Sequence, residues 1–217
     1  MRRRGRFIAF EGGEGSGKST QIRAVARFLR RRGLRVVATR EPGGTPSAER
    51  VRRLLLARGG DWSPLAELLL INAARATHVR EVIRPALESG AWVLCDRFTD
   101  ATLAYQGYGR GIPLRAARTV NHLATGGLFP DRTLVLDLPP ARALNRARRR
   151  STTNRFEDEA QAFHRRVRRG YRLLVRKEPR RVRWISASGT RAEVSAKLRA
   201  AIEDLLPAQS TRNRRQS

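Results

Sequence analysis

"FEGGEGSGKSTQ", residues 10–21, decides how the rest of the chain is read. Its Gly12-x4-Gly17-Lys18-Ser19 spacing satisfies the G-x-x-x-x-G-K-[ST] pattern in full. The apolar run "RFIAF" (6–10) precedes it, and Ile22, Val25, Ala26 and Leu29 follow at helical spacing. A strand, a glycine-rich turn and a helix are what a phosphate-binding loop requires. Glycines let the backbone adopt positive φ and let phosphate oxygens approach N–H groups. The helix that starts near Lys18 points its positive end at the same oxygens. Residues 12–20 (Gly12, Gly13, Glu14, Gly15, Ser16, Gly17, Lys18, Ser19 and Thr20) are therefore the candidate phosphate-binding loop. Lys18 is one of three lysines against 43 arginines. A slim ammonium reaches β- and γ-phosphates as a point charge, where a planar guanidinium does not fit as well. Ser19 offers a hydroxyl to Mg²⁺.

Outward from the loop, β-branched apolar runs alternate with helical stretches. Strands are expected at 6–10, 34–40, 91–95, 132–138 and 181–186, buried on both faces as in a parallel sheet. Helices are expected at 18–32, 47–57, 64–89, 113–125, 139–150, 156–177 and 190–205. Pro85 predicts a kink or break near Arg84 in the longest of these. This alternation argues a doubly wound α/β domain with ligands at the carboxyl ends of the strands. The chain of 217 residues suits one domain, 1–208, and the tail 209–217 has no apolar anchor, so it is expected to be disordered.

Composition narrows the class further. No apolar run approaches a membrane span, and the basic N-terminus lacks the features of a secretory signal. A single cysteine, Cys95, excludes an internal disulfide and fits the reducing cytoplasm. Three widely spaced histidines do not suggest a His/Cys metal site. The net charge of +27 raises the possibility of a nucleic-acid partner. Arginine is spread along the whole chain, however, which points to compositional bias and to no specific nucleic-acid partner.

Four segments together resemble the thymidylate kinase family in its bacterial form: the phosphate loop, "TREPGGT" (39–45), "CDRFTDATLAYQGYGRGI" (95–112) and "RARRRSTTNRFE" (146–157). The likeness runs from Arg6 to about Leu205. It implies a three-layer α/β/α domain on a five-stranded parallel sheet, like the P-loop nucleoside monophosphate kinases. It also implies transfer of the γ-phosphoryl of ATP to dTMP with Mg²⁺, and a homodimer. Two alternatives stay open: a related nucleotide kinase with altered base preference, and a basic nucleic-acid-binding P-loop protein.

Carried over position by position, the resemblance assigns Glu14 to the 3′-hydroxyl of the acceptor and Arg97 to its monophosphate. Glu41, Pro42 and Gly43 join the acceptor site. Tyr105 packs under the deoxyribose, Thr102 and Gln106 face the thymine edge, and Arg75 is aimed at a thymine carbonyl. Asp96 joins Ser19 as a Mg²⁺ ligand, through water. The segment 146–156 resembles the mobile lid. With no arginine in the phosphate loop, Arg148 and Arg150 are the candidates to stabilise the transferring phosphoryl group, Arg149 being the alternative. Four departures concern the two bases and the lid. Ile71 stands where a phenylalanine usually stacks on thymine, and Ala101 stands where a serine is usual. Asn154-Arg155 replaces an Asp-Arg pair, and Ser186 lies near the expected adenine edge.

Overall fold

Five strands pair in parallel in the order β2-β3-β1-β4-β5 in a computed structural model that describes residues 4–57, 59–139, 156 and 159–207. The strands are β1 (Phe7–Glu11), β2 (Val36–Arg40), β3 (Trp92–Asp96), β4 (Arg132–Asp137) and β5 (Val182–Ser186). All five expected strands are present to within about two residues. The chain winds from β1 to β2 and β3 on one side and crosses to β4 and β5 on the other. Loops leaving the central strands therefore diverge at their carboxyl ends and open a crevice there.

Period-two alternation in β1 supplies both faces of the sheet. Ile8 and Phe10 pack with Ile22, Val25 and Leu29 of α1 (Lys18–Arg31) and with Val194 and Leu198 near the C-terminus. Phe7 and Ala9 point the other way, into a cluster with Val79, Ile83, Leu87 and Phe98. The central strands are buried on both faces as expected. β2 is not: it is an edge strand with partly exposed side chains throughout, because no strand covers its outer side.

Helix ends follow their local chemistry. α2 (Pro46–Leu56) starts where the Thr45 hydroxyl accepts the Ala48 N–H at 3.2 Å, with Pro46 in the first turn. Ser63 does the same for α3 (Pro64–His78). Where a kink or break was expected near Arg84, a widened π-type turn runs over Val79–Ile83, after which α4 (Arg84–Glu88) continues. Proline lacks an N–H and crowds the carbonyl four residues back, and a widened turn accommodates both defects without ending the helix. A short helix α5 (Thr99–Thr102) running into π-type turns over Leu103–Gly109 was not foreseen. Gly107 and Gly109 speak against helix locally. Here they serve packing: a Cβ at Gly109 would lie 2.7 Å from the Phe163 ring. Phe163 belongs to α7 (Gln161–Lys177), whose own Gly170 lies against Tyr108 in the same way. The helices α6 (Leu114–Thr125) and α8 (Arg191–Ala200) match their expected positions, and α8 begins with a reciprocal Thr190–Glu193 capping box. The expected helix 139–150 and the tail 209–217 lie outside the described residues.

A buried ion pair ties the β4–β5 side of the sheet to α5. Asp100, almost wholly buried, accepts two N–H groups of Arg181 at 2.7 and 2.9 Å and the Thr133 hydroxyl at 2.7 Å. Removing one partner leaves the other charge uncompensated. Asp100→Ala is expected to cost about 3 kcal/mol, the low end for broken buried pairs because Arg181 retains some access to water. Urea titration measures this directly.

Candidate active site

The carboxyl edge of the sheet opens into a cleft of about 540 Å³. β1 delivers the glycine loop to it, β3 delivers Asp96 and Arg97, and the loop after β2 delivers Glu41 and Pro42 across a cis peptide bond. The register that pairs Phe10 with Asp96 places these loops side by side.

Gly12, Gly15 and Gly17 have positive φ, and Gly17 leads directly into α1. Lys18 folds back over the loop, its Nζ donating to the Gly12 and Gly13 carbonyls at 3.1 Å each. Burial lowers its pKa, and Arg97 adds to that, while Asp96, Glu14 and Glu11 oppose it. A phosphate arriving beside the ammonium would supply the negative charge that favours its protonated form. Ser19 Oγ donates to Asp96 Oδ2 at 3.1 Å, so the two candidate metal ligands are neighbours on the cleft wall. Two hard oxygens beside a phosphate loop suit Mg²⁺, which keeps several waters and takes phosphate oxygens as further ligands. Gly15, Gly17 and Thr20 also face the cleft. Gly12 and Gly13 line a much smaller cavity behind the loop, and Ser16 is buried.

Arg97 is held in a left-handed backbone conformation, φ 70°, uncommon for a side chain of this size. Its Nη2 donates to Glu14 Oε1 at 2.5 Å and to the Tyr105 hydroxyl at 3.0 Å, and the guanidinium lies 4.6 Å from the Tyr105 ring centroid. Its Nη1 is buried and has no acceptor among the described residues. The cleft thus contains a guanidinium in contact with the loop carboxylate.

The base end of the cleft is built around Arg75. This side chain is buried, and all three of its guanidinium nitrogens have protein acceptors. Nε donates to Glu41 at 2.7 Å, Nη1 to Asn121 at 2.7 Å and to Asn72 and Thr102 at 3.0 Å, and Nη2 to the Phe98 carbonyl at 3.1 Å. Arg75 lines the cleft, as the resemblance implied, but most of its hydrogen-bonding capacity organises the walls. Glu41 also meets His78 Nδ1 at 3.1 Å, and His78 Nε2 meets the Thr39 hydroxyl at 2.7 Å. Glu41 therefore braces the Pro42 loop from below. Ile71, Ala101, Thr102, Tyr105 and Gln106 all reach the cleft, and Gln106 is held by Glu67 at 2.7 Å. Gly43 is not on the cleft wall. Its φ of 133° and its closeness to Glu49 mark it as a turn residue. Arg148, Arg150 and the rest of the expected lid, apart from Phe156, lie outside the described residues.

Several cleft residues escaped the sequence reading. Arg40 and Arg52 line the cleft, and Arg52 donates to the Pro42 carbonyl at 2.8 Å. In a chain with 43 arginines, residue type alone could not single them out. The phosphate-proximal end of α2, two turns past the "PGGT" cap, was the available signal. Phe156 also faces the cleft, edge-on to Tyr105 with ring centroids 6.0 Å apart.

The two leading glycines of the loop differ sharply in what they tolerate. A Cβ at Gly12 would sit 2.2 Å from the Leu136 carbonyl oxygen at a φ of 128°, whereas one at Gly13 meets nothing within 4 Å. Gly12→Ala is expected to lower stability by ~1–3 kcal/mol through strain and overpacking. Gly13→Ala should leave the thermal midpoint close to that of the unaltered protein. Calorimetry of the two variants side by side checks both expectations.

Comparison with known proteins agrees with this geometry. A family model described as thymidylate kinase matches residues 10–198. A thymidylate kinase of Synechococcus sp. (strain JA-2-3B'a(2-13)) is 54% identical over 201 residues, covering 93% of this chain and 96% of its own. One from Rhizorhabdus wittichii is 52% identical over 206 residues, covering 94% and 99%. The crystal structure of thymidylate kinase from Ehrlichia chaffeensis superposes with a TM-score of 0.75 at 35% identity, covering 92% of this chain and 98% of that one. With sequence and fold in agreement over almost its whole length, the chain belongs to the thymidylate kinase family.

Proposed function

We propose that this chain transfers the γ-phosphoryl group of ATP to dTMP, forming ADP and dTDP, with Mg²⁺ as cofactor. The observation that carries the reading is the pairing of Lys18 in the phosphate loop with Arg97 across one cleft. A donor phosphate chain and an acceptor phosphate would thus each meet a dedicated cation. An acceptor phosphate oxygen attacks the γ-phosphorus in line and the ADP oxygen leaves, so no general base is needed for an acceptor already ionised at neutral pH. The protein's work is alignment and charge neutralisation. Lys18 holds the β- and γ-phosphates, and Arg97, which lines the same cleft, presents the acceptor. Glu14, already bonded to Arg97, is placed to accept the 3′-hydroxyl. Ser19 and Asp96 would hold Mg²⁺, which supplies charge neutralisation across the β- and γ-phosphates. Arg148 and Arg150 are carried as the proposed lid arginines.

Thr102 and Gln106 are the polar groups proposed to read thymine, with Arg75 behind them, and Tyr105 is proposed to crowd out a 2′-hydroxyl. The enzyme is proposed to work in the cytoplasm, where both nucleotides are made. Among the described residues no helix is long and apolar enough to cross a membrane. A homodimer is proposed on the evidence of α2 and α3, where Leu54, Leu65 and Leu69 are each at least half exposed. Leu65 and Leu69 lie one turn apart on the same helix face. The arginine excess is attributed to composition, with no specific nucleic-acid partner.

Phosphate transfer from ATP to a panel of nucleoside monophosphates is the decisive assay, with dTMP expected as the best acceptor. Lys18→Ala should nearly abolish transfer while the circular dichroism spectrum is unchanged. A folded variant that keeps most of its activity would remove Lys18 from the mechanism. Ile71→Phe tests the altered base platform. An aromatic face adds ~0.5–1.5 kcal/mol of stacking, so the KM for dTMP should fall severalfold at most with turnover little changed. A large rise in KM would mean that the pocket has been rebuilt around the smaller side chain.

A further inference from the structure

Glu11 is the one charged residue of the loop motif that the reaction above leaves without a part. It ends β1 and is fully buried. Both of its carboxylate oxygens are engaged. Oε1 accepts the N–H of Phe98 at 2.8 Å and that of Ala101 at 3.1 Å, and Oε2 accepts the Tyr171 hydroxyl at 2.7 Å. The two amides flank the start of α5, immediately after Arg97. The Arg97 N–H itself donates to the Phe10 carbonyl at 2.9 Å. Residues 10 and 11 therefore grip two consecutive N–H groups of the turn in which Arg97 adopts its left-handed conformation. Such a backbone conformation persists only where the surroundings over-determine it. Tyr171, the third partner of Glu11, packs edge-on to Tyr105 with centroids 6.5 Å apart, and Tyr105 is the ring beneath the Arg97 guanidinium.

From this geometry we infer that Glu11 is a positioning residue for the acceptor phosphate: its carboxylate locks the strained turn, and through Tyr171 the tyrosine beneath it, so that Arg97 enters the cleft in one orientation. The inference rests on the proposed role of Arg97 toward the acceptor. A carboxylate suits the task because it can accept three hydrogen bonds at once, which no apolar side chain of similar length can do. It carries a cost. The charged groups around it are Arg97 and Lys18 on one side and Asp100 on the other, with the Tyr171 hydroxyl against Oε2. Burial dominates: it is opposed by Arg97 and reinforced by Asp100, and the pKa is raised to about 7. A carboxyl group whose folded pKa lies above its unfolded value contributes stability fully below that unfolded value, and this contribution is lost as pH rises through about 7.

Steady-state kinetics of Glu11→Leu, Glu11→Gln, Tyr171→Phe and Arg97→Lys, with KM for dTMP and for ATP measured separately, tests the inference. Glu11→Leu removes all three acceptor interactions and should raise the dTMP KM about tenfold or more while the ATP KM changes by less than about twofold. Glu11→Gln keeps a carbonyl for the two amides and should restore the dTMP KM to within about threefold of the parent. If Glu11→Leu does not fold, Tyr171→Phe carries the test, with a selective two- to fivefold rise expected, on the order of one lost hydrogen bond. Equal changes in both KM values, or a lower melting temperature with neither KM changed, would reduce Glu11 to a fold anchor and overturn the inference. Arg97→Lys separates the two levels. If it leaves the dTMP KM unchanged, the assignment of Arg97 to the acceptor is wrong. If it raises that KM and the Glu11 and Tyr171 variants do not, only the positioning role falls.

Discussion

Parallel pairing of β1 with β3, with Phe10 opposite Asp96, is the constraint on which the rest of the cleft depends. Parallel strands in adjacent register end on the same edge. The turn into the phosphate loop and the turn carrying Arg97 are thereby forced together. The link is made twice more by hydrogen bonds, from the Arg97 N–H to the Phe10 carbonyl and from Phe98 and Ala101 to Glu11. On the outer side the Glu41 N–H donates to the Asp96 carbonyl, adding the loop after β2 to the same edge. Three loops distant in sequence thus meet within one cleft because their strands are neighbours, and the helices on both faces hold the strands so.

Arginine does much of the internal bonding of this protein. Arg181 joins Asp100 beneath α5, Arg168 forms a two-pronged pair with Asp137 at the end of β4, and Arg75 gathers the acceptor walls. Others lie on aromatic rings, as Arg110 does on Phe163 and Arg32 on Phe28. A planar guanidinium with five donors suits such roles, and its charge costs less to desolvate than an ammonium. Part of the arginine content is therefore used in internal ion pairs and stacking, which leave the net charge of +27 unchanged. The phosphate loop keeps lysine, where a compact ammonium must lie against two carbonyl oxygens.

The strands and most of the helices could be read from the chain because their signals are local. Apolar runs and helical spacing placed them to within a few residues. The reading failed where tertiary packing overrode local preference. Gly107 and Gly109 argue against helix in isolation, yet the segment coils tightly because α7 must approach it within the space of a missing Cβ. Pro85 argued for a kink or a break near Arg84; the distortion is there, as a widened turn, and the packing of Val79, Ile83 and Leu87 against the sheet carries the helix through it. β2 reads as a buried strand by composition, but strand order, which no local pattern encodes, put it at the edge.

In the candidate site the same division holds. Residue identities at positions 12–20, and the four segments that mark the family, are matters of covalent order, and they suffice to name the phosphate loop and to expect the acceptor groups. What each group bonds to is decided by the fold. Arg75 looked like a ligand contact and proves to spend most of its donors on Glu41, Asn72, Thr102, Asn121 and a backbone carbonyl. Arg52 and Phe156 lie in an expected helix and in the expected lid, but residue type did not single them out. Glu11 was visible as a letter in the motif, but its partners lie 87, 90 and 160 residues away. A sequence pattern records spacing along the chain, whereas hydrogen bonding and desolvation act through space. Only the packed sheet brings those partners within bonding distance of one buried carboxylate.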